Sequence, residues 1–123
     1  MARRRVVVTG LGIISPVGNT VQESWDNIVA GKSGIGPITR FDASAFKSRI
    51  AGEVKGFDVT AYLAPKEARR MDVFIHYGMA AGIQAIKDSG LAVTADNADR
   101  IGVNIGSGIG GLPMIEENHS ELL

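Results

Sequence analysis

Arg4-Arg5-Val6-Val7-Val8-Thr9-Gly10-Leu11-Gly12 is the stretch on which the reading of the fold turns. Three consecutive valines favour extended backbone, and the run is apolar throughout rather than alternating, as in a strand covered on both faces. Gly10 and Gly12 stop it, and Ser15-Pro16-Val17-Gly18 turns the chain. A buried strand of the parallel type is therefore predicted over residues 4–10. Thr20 with Glu23 three residues later forms a capping box, and Val21, Trp25, Ile28 and Val29 share one face before Gly31 ends a helix. Strand, turn and helix in this order point to an α/β fold.

Residues 32–64, interrupted by Gly34, Gly36, Pro37 and Gly52, read as an irregular surface excursion with a short strand over 49–54. Pro65 suits a first helical position, and a long helix is predicted from there to Ser89, with Gly90 as its stop. Its apolar stripe includes Met71, Phe74, Ile75, Met79, Ile83 and Ile86, with Gly78, Ala81 and Gly82 among them. Each glycine costs about 1 kcal/mol of helix propensity relative to Ala, so small residues persist there to let another backbone approach. A buried, central helix is expected. Residues 100–106 read as a second strand, 106–111 as a loop, and Leu112, Ile115, His119, Leu122 and Leu123 as the start of an amphipathic helix. That helix has no glycine cap and no basic last turn, so the sequence predicts a chain that stops inside it.

Composition narrows the function. Thirteen basic and thirteen acidic residues balance in a chain of 123, which argues against binding nucleic acid or an anionic membrane by bulk charge. With 45% apolar residues the chain is too hydrophobic to be disordered. There is no cysteine, hence no disulfide, thiolate metal site or cysteine nucleophile within these residues. The two histidines, His76 and His119, lack any metal-ligand spacing, and no metal or cofactor is expected. No apolar stretch reaches the roughly 18 residues that a membrane span needs.

Four patterns bear on chemistry. Gly106-x-Gly108-x-x-Gly111 has dinucleotide-binding spacing, but the acidic ribose ligand belongs about 20 residues further on, past Leu123. Tyr62-x-x-x-Lys66 imitates a dehydrogenase pair, and Pro65 between the two denies them one helix. Lys66, Arg69 and Arg70 fall at i, i+3 and i+4 near the start of the predicted helix, repelling one another at the end of the dipole that favours carboxylates. They read either as a solvated helix end or as a dock for an acidic partner. In residues 106–111 five of six positions are Gly or Ser, and Ile109 alone is bulky. That pattern reads either as a tight turn or as a hinged gate whose single isoleucine fills or vacates a cavity. His76 reads as a surface residue and His119 as structural.

Taken together, Arg4 to Gly12, Ser15-Pro16-Val17-Gly18-Asn19, Lys66-Glu67-x-Arg69-Arg70-Met71-Asp72 and Gly106-Ser107-Gly108-Ile109-Gly110-Gly111 resemble the start of a β-ketoacyl-acyl carrier protein synthase. The resemblance runs the length of the chain. It implies an α/β fold that is an incomplete first half of a thiolase-type layered α-β-α-β-α architecture, with residues 1–123 its N-terminal part and 32–64 an excursion within it. It further implies a homodimer acting in the bacterial cytoplasm, or in an organellar stroma or matrix, in fatty acid synthesis. Such enzymes condense an acyl group, held on a cysteine, with a malonyl group on acyl carrier protein, and the Cys-His-His set lies downstream of the glycine loop. Within this chain no catalytic residue is expected. Lys66, Arg69 and Arg70 match positions that meet the carrier protein, and Gly108, Ile109, Gly110 and Gly111 match the gate of the acyl pocket. A free-standing carrier-protein-binding module and a dinucleotide-binding domain are the competing readings.

Overall fold

Two ends of the first helix, α1 (Val21–Val29), follow directly from the sequence. Thr20 Oγ1 accepts a hydrogen bond from the Glu23 amide at 3.1 Å, and the Glu23 carboxylate reaches back to the Asn19 amide at 2.7 Å. At the other end Gly31 takes φ +68, and the amides of Gly31 and Lys32 donate to the carbonyls of Ile28 and Asn27. That double bond around a left-handed glycine is a Schellman ending. The computed structural model in which these elements are seen describes residues 3–123.

The excursion is more ordered than its glycines suggest. Strand β1 (Ile35–Pro37) pairs antiparallel with β2 (Ile50–Gly52), Gly36 opposite Ala51, which places a strand where residues 49–54 were expected to supply one. Thr39 extends the pairing by donating from its amide and hydroxyl to the Glu53 carboxylate at 3.1 and 2.7 Å. A 3-10 turn at Val59–Ala61, capped by Asp58, completes the segment.

This is the one sheet among the described residues, and the two expected parallel strands are a correction. Residues 4–10 and 100–106 are not assigned to any strand, and Val6 is 92% and Val103 78% exposed. β-Branched runs dictate extended backbone, but a strand also needs a neighbour to bond, and neither run has one here. Instead they lie against α3 (Val73–Ser89), which is central as expected. A Cβ on Gly10 or Gly12 would strike the carbonyls of Ala85 and Ala81, and Gly78 and Gly82 face Ile105 from the other run.

The predicted helix from Pro65 to Ser89 is also corrected. It is two helices, α2 (Pro65–Ala68) and α3, separated by a turn over residues 69–72. The amides of Arg70 and Met71 bond back three residues to Glu67 and Ala68, and Asp72 takes extended angles and accepts from the Val73 amide. Aspartate competes for local amides and favours a cap over a helix interior, which the continuous apolar stripe conceals. Gly90, at φ +65, ends α3 as read. Of α3 only Ala80 is buried, so the helix is central but half-covered rather than enclosed. The last helix, α4 (Leu112–Leu122), starts after Gly111 and buries none of its residues.

Candidate functional site

The expected single face of cations becomes a short helix and its exit. Lys66 lies in α2, Arg69 caps its C-terminus and Arg70 follows in the turn; all three are exposed. Because α2 ends at Ala68, Arg69 and Arg70 sit beyond a helix C-terminus, where positive charge is favoured. The conflict with the helix dipole expected from the sequence is thereby eased for Arg69 and Arg70, while Lys66 stays in the first turn of α2. Arg69 Nε donates to the Pro65 carbonyl at 3.2 Å, which folds this side chain along its own helix.

One helix turn on, the start of α3 meets the glycine loop. Within the loop, the Ser107 hydroxyl accepts from the Gly110 amide at 3.1 Å, and Gly110 has φ +83. Ile109 points into solvent, 73% exposed. Phe74 of α3 lies 3.5 Å from where a Cβ of Gly110 would stand, and Asp72 occupies the place of a Cβ on Gly111. Gly108 has open space around it. Beside the loop, Phe74, Ile75, Gly78, Met79, Ile105 and Ser107 line an apolar cavity of about 450 Å³. Ile109 is outside that lining. The structure thus brings Gly110 and Gly111 together with Asp72 and Phe74, and leaves Ile109 and Gly108 clear of them.

His76 is half-buried, and its Nε2 lies 2.9 Å from the Ala68 carbonyl, joining α3 to α2 across the break; His119 is exposed on α4. Tyr62 and Lys66 fall on separate elements, and the Tyr62 hydroxyl accepts from Gln84 Nε2 at 2.8 Å. Gln84 was not singled out by sequence, yet it also donates to the Asn19 carbonyl and accepts from the Ile13 amide, tying three segments to α3. Only its polar presence on an apolar helix face signals this role.

Three carboxyls of the excursion are held by local hydrogen bonds. Hydrogen bonds from Ser44, Thr39 and Thr60 hold the carboxyls of Asp42, Glu53 and Asp58 below the ordinary carboxylate range. Among the described residues no three His, Cys, Asp or Glu side chains are grouped to hold a metal, and no helix is long and apolar enough to cross a membrane.

The profile of a family described as "Beta-ketoacyl synthase, N-terminal domain" matches residues 3–122. The chain belongs to this family. The 3-oxoacyl-(acyl-carrier-protein) synthase 2 of Vibrio harveyi is 60% identical over all 123 residues, and that of Coxiella burnetii 54%; each alignment covers the whole of this chain and 30% of the relative. The Staphylococcus aureus (strain COL) synthase 2 is 46% identical over 120 residues, 98% of this chain and 29% of its own. Among solved structures, "The ishigamide ketosynthase/chain length factor" superposes with a TM-score of 0.67 at 41% identity, over 74% of this chain and 23% of that one. The chain therefore spans about 30% of the length of the curated relatives it matches. Its fold is a part of the α/β, thiolase-type ketosynthase architecture, here four helices and a two-stranded sheet. The glycine spacing at 106–111 thus falls within the part of the chain that matches the ketosynthase N-terminal domain.

Proposed function

We propose that this segment forms part of a β-ketoacyl-acyl carrier protein synthase, an acyltransferase of fatty acid synthesis. Its reaction is a decarboxylative condensation. An acyl group waits as a thioester on an enzyme cysteine, malonyl-carrier protein loses carbon dioxide, and the resulting carbanion attacks the acyl carbonyl and expels the thiolate. With no cysteine in residues 1–123, that nucleophile must come from elsewhere in the protein, and the segment alone is expected to be inactive. The observation that carries this reading is the 60% identity, over every residue of the chain, to a synthase named for a carrier-protein-linked product.

Within that reading, Lys66, Arg69 and Arg70 dock the acidic carrier protein, and Gly108, Ile109, Gly110 and Gly111 form the gate of the acyl pocket. Three exposed cations gathered on α2 and its exit support the first assignment. A lone bulky side chain on a glycine loop beside an apolar cavity supports the second. Residues 1–123 are the N-terminal part of the first thiolase-like half of a cytoplasmic homodimer.

The test uses the full-length synthase and has two arms. Reversing Lys66, Arg69 and Arg70 to Glu should raise the carrier-protein KM about tenfold at low ionic strength, with the gap closing as salt screens the charges. A defect indifferent to salt would assign these residues to folding. Ile109→Phe should lower kcat/KM for long acyl donors about tenfold more than for short ones, because bulk is added at the pocket entrance. Equal losses would remove the gate.

A further inference from the structure

Gly110 and Gly111 are glycines for different physical reasons. Gly110 lies at φ +83, where a side chain is strained whatever the space around it. Gly111, the N-cap of α4, has φ −107 and ψ 105, angles open to any residue. What excludes a side chain there is Asp72, whose Oδ2 sits where a Cβ of Gly111 would be.

Asp72 is only 9% exposed. Its Oδ1 accepts from the Val73 amide at 2.6 Å, while Oδ2 is buried with no hydrogen-bond partner. A buried acceptor left unpaired is unfavourable, so this placement is held against a penalty. The carboxylate lies against the N-terminus of α4, which has no side-chain cap and no acidic residue in its first turn. A negative group at that end is what the helix dipole favours. From the other side, the Phe74 ring backs Gly110.

We propose that Asp72 is a positioning residue for the glycine loop: its carboxylate, seated on Gly111, latches the loop against the start of α3 and so fixes where Ile109 stands. Through Ile109 it is a determinant of acyl chain length, and this part rests on the gate assignment above. The latch itself is a claim about the loop alone.

Four variants of the full-length synthase test it. Without substrate, hydrogen exchange at the amides of residues 106–111 should quicken about tenfold in Asp72→Ala and less in Asp72→Asn, which keeps the shape and loses the charge. Gly111→Ala, which drives the carboxylate from its seat, should shift the long-to-short ratio of kcat/KM about threefold or more. Adding Asp72→Ala to Gly111→Ala removes the collision and should return that ratio toward the parent's. Exchange unchanged in Asp72→Ala, or a double variant no closer to the parent than Gly111→Ala, overturns the latch. If Gly111→Ala does not fold, recovery of folding in the double variant supports the latch, and its absence overturns it. Because exchange needs no turnover, a parent enzyme that fails to condense would sink the proposed function and leave the latch to be judged on exchange.

Discussion

Residues 15–63 and residues 100–123 are held in contrasting ways. The first region is knotted to itself by polar bonds to backbone. Lys55 Nζ donates to the Gly34 carbonyl at 3.0 Å, Asn19 Nδ2 to the Lys55 carbonyl at 2.8 Å and Asn27 Nδ2 to the Val17 carbonyl at 2.6 Å. Ser24, 2% exposed, bonds both Ser15 and the Gly18 carbonyl. The second region leans on α3 through Ile105, Gly110 and Gly111, and α4 buries nothing. A region that pairs many of its polar groups internally leans less on the rest of the protein, even with Gln84 of α3 bonded to Asn19 and Tyr62, whereas one that presents an apolar run is shaped by whatever packs on it.

The largest expected effect breaks the contrast by loosening what both regions share. Gly12→Val would drive a side chain into the Ala81 carbonyl, a backbone atom inside a helix that cannot step aside. A loss of about 3 kcal/mol or more is expected from the shifted denaturation midpoint of the full-length protein, and a neutral outcome would show that the N-terminal segment is not seated on α3. Next is Thr20→Ala, which removes the α1 cap and should cost about 1 kcal/mol. That loss should leave hydrogen exchange in residues 100–111 unchanged, because the cap belongs to the self-contained region; spread into the loop would erase the distinction. Smallest is Thr39→Val, which deletes the leading cause of the lowered Glu53 carboxyl. The Glu53 titration, followed by NMR, should then rise toward the ordinary range. A depressed carboxyl contributes its stability above the unfolded value and loses it as pH falls through the folded one, so the variant should also blunt this site's acid sensitivity.

What could be read in the sequence follows the same division. Helix α1 was legible in full because Thr20, Glu23 and Gly31 carry both of its ends within a dozen residues. Gly90 marked the end of α3, and a short strand was read within residues 49–54 although Gly52, counted among the breaks, lies inside it. The apolar runs at 4–10 and 100–106 were legible too, but a pairing partner is a property of distant chain, and no local pattern supplies one. The break at residues 69–72 was hidden by an apolar stripe that runs across it, although Asp72 carried the capping signal. The site divides likewise. Clustered cations and a glycine loop are composition, visible at once; the seat of Asp72 on Gly111 joins residues far apart in sequence and needed the fold.

The contact of His76 with Ala68 bears on how the cation-bearing turn is braced. A carbonyl oxygen only accepts, so Nε2 must hold a proton for the 2.9 Å contact to be a hydrogen bond. Of the two tautomers of the ring, the one with its proton on Nε2 meets that demand. This strut therefore ties α3 back to α2 across the turn that carries Arg69 and Arg70, so the segment bearing those two cations is closed by a side chain as well as by the chain itself.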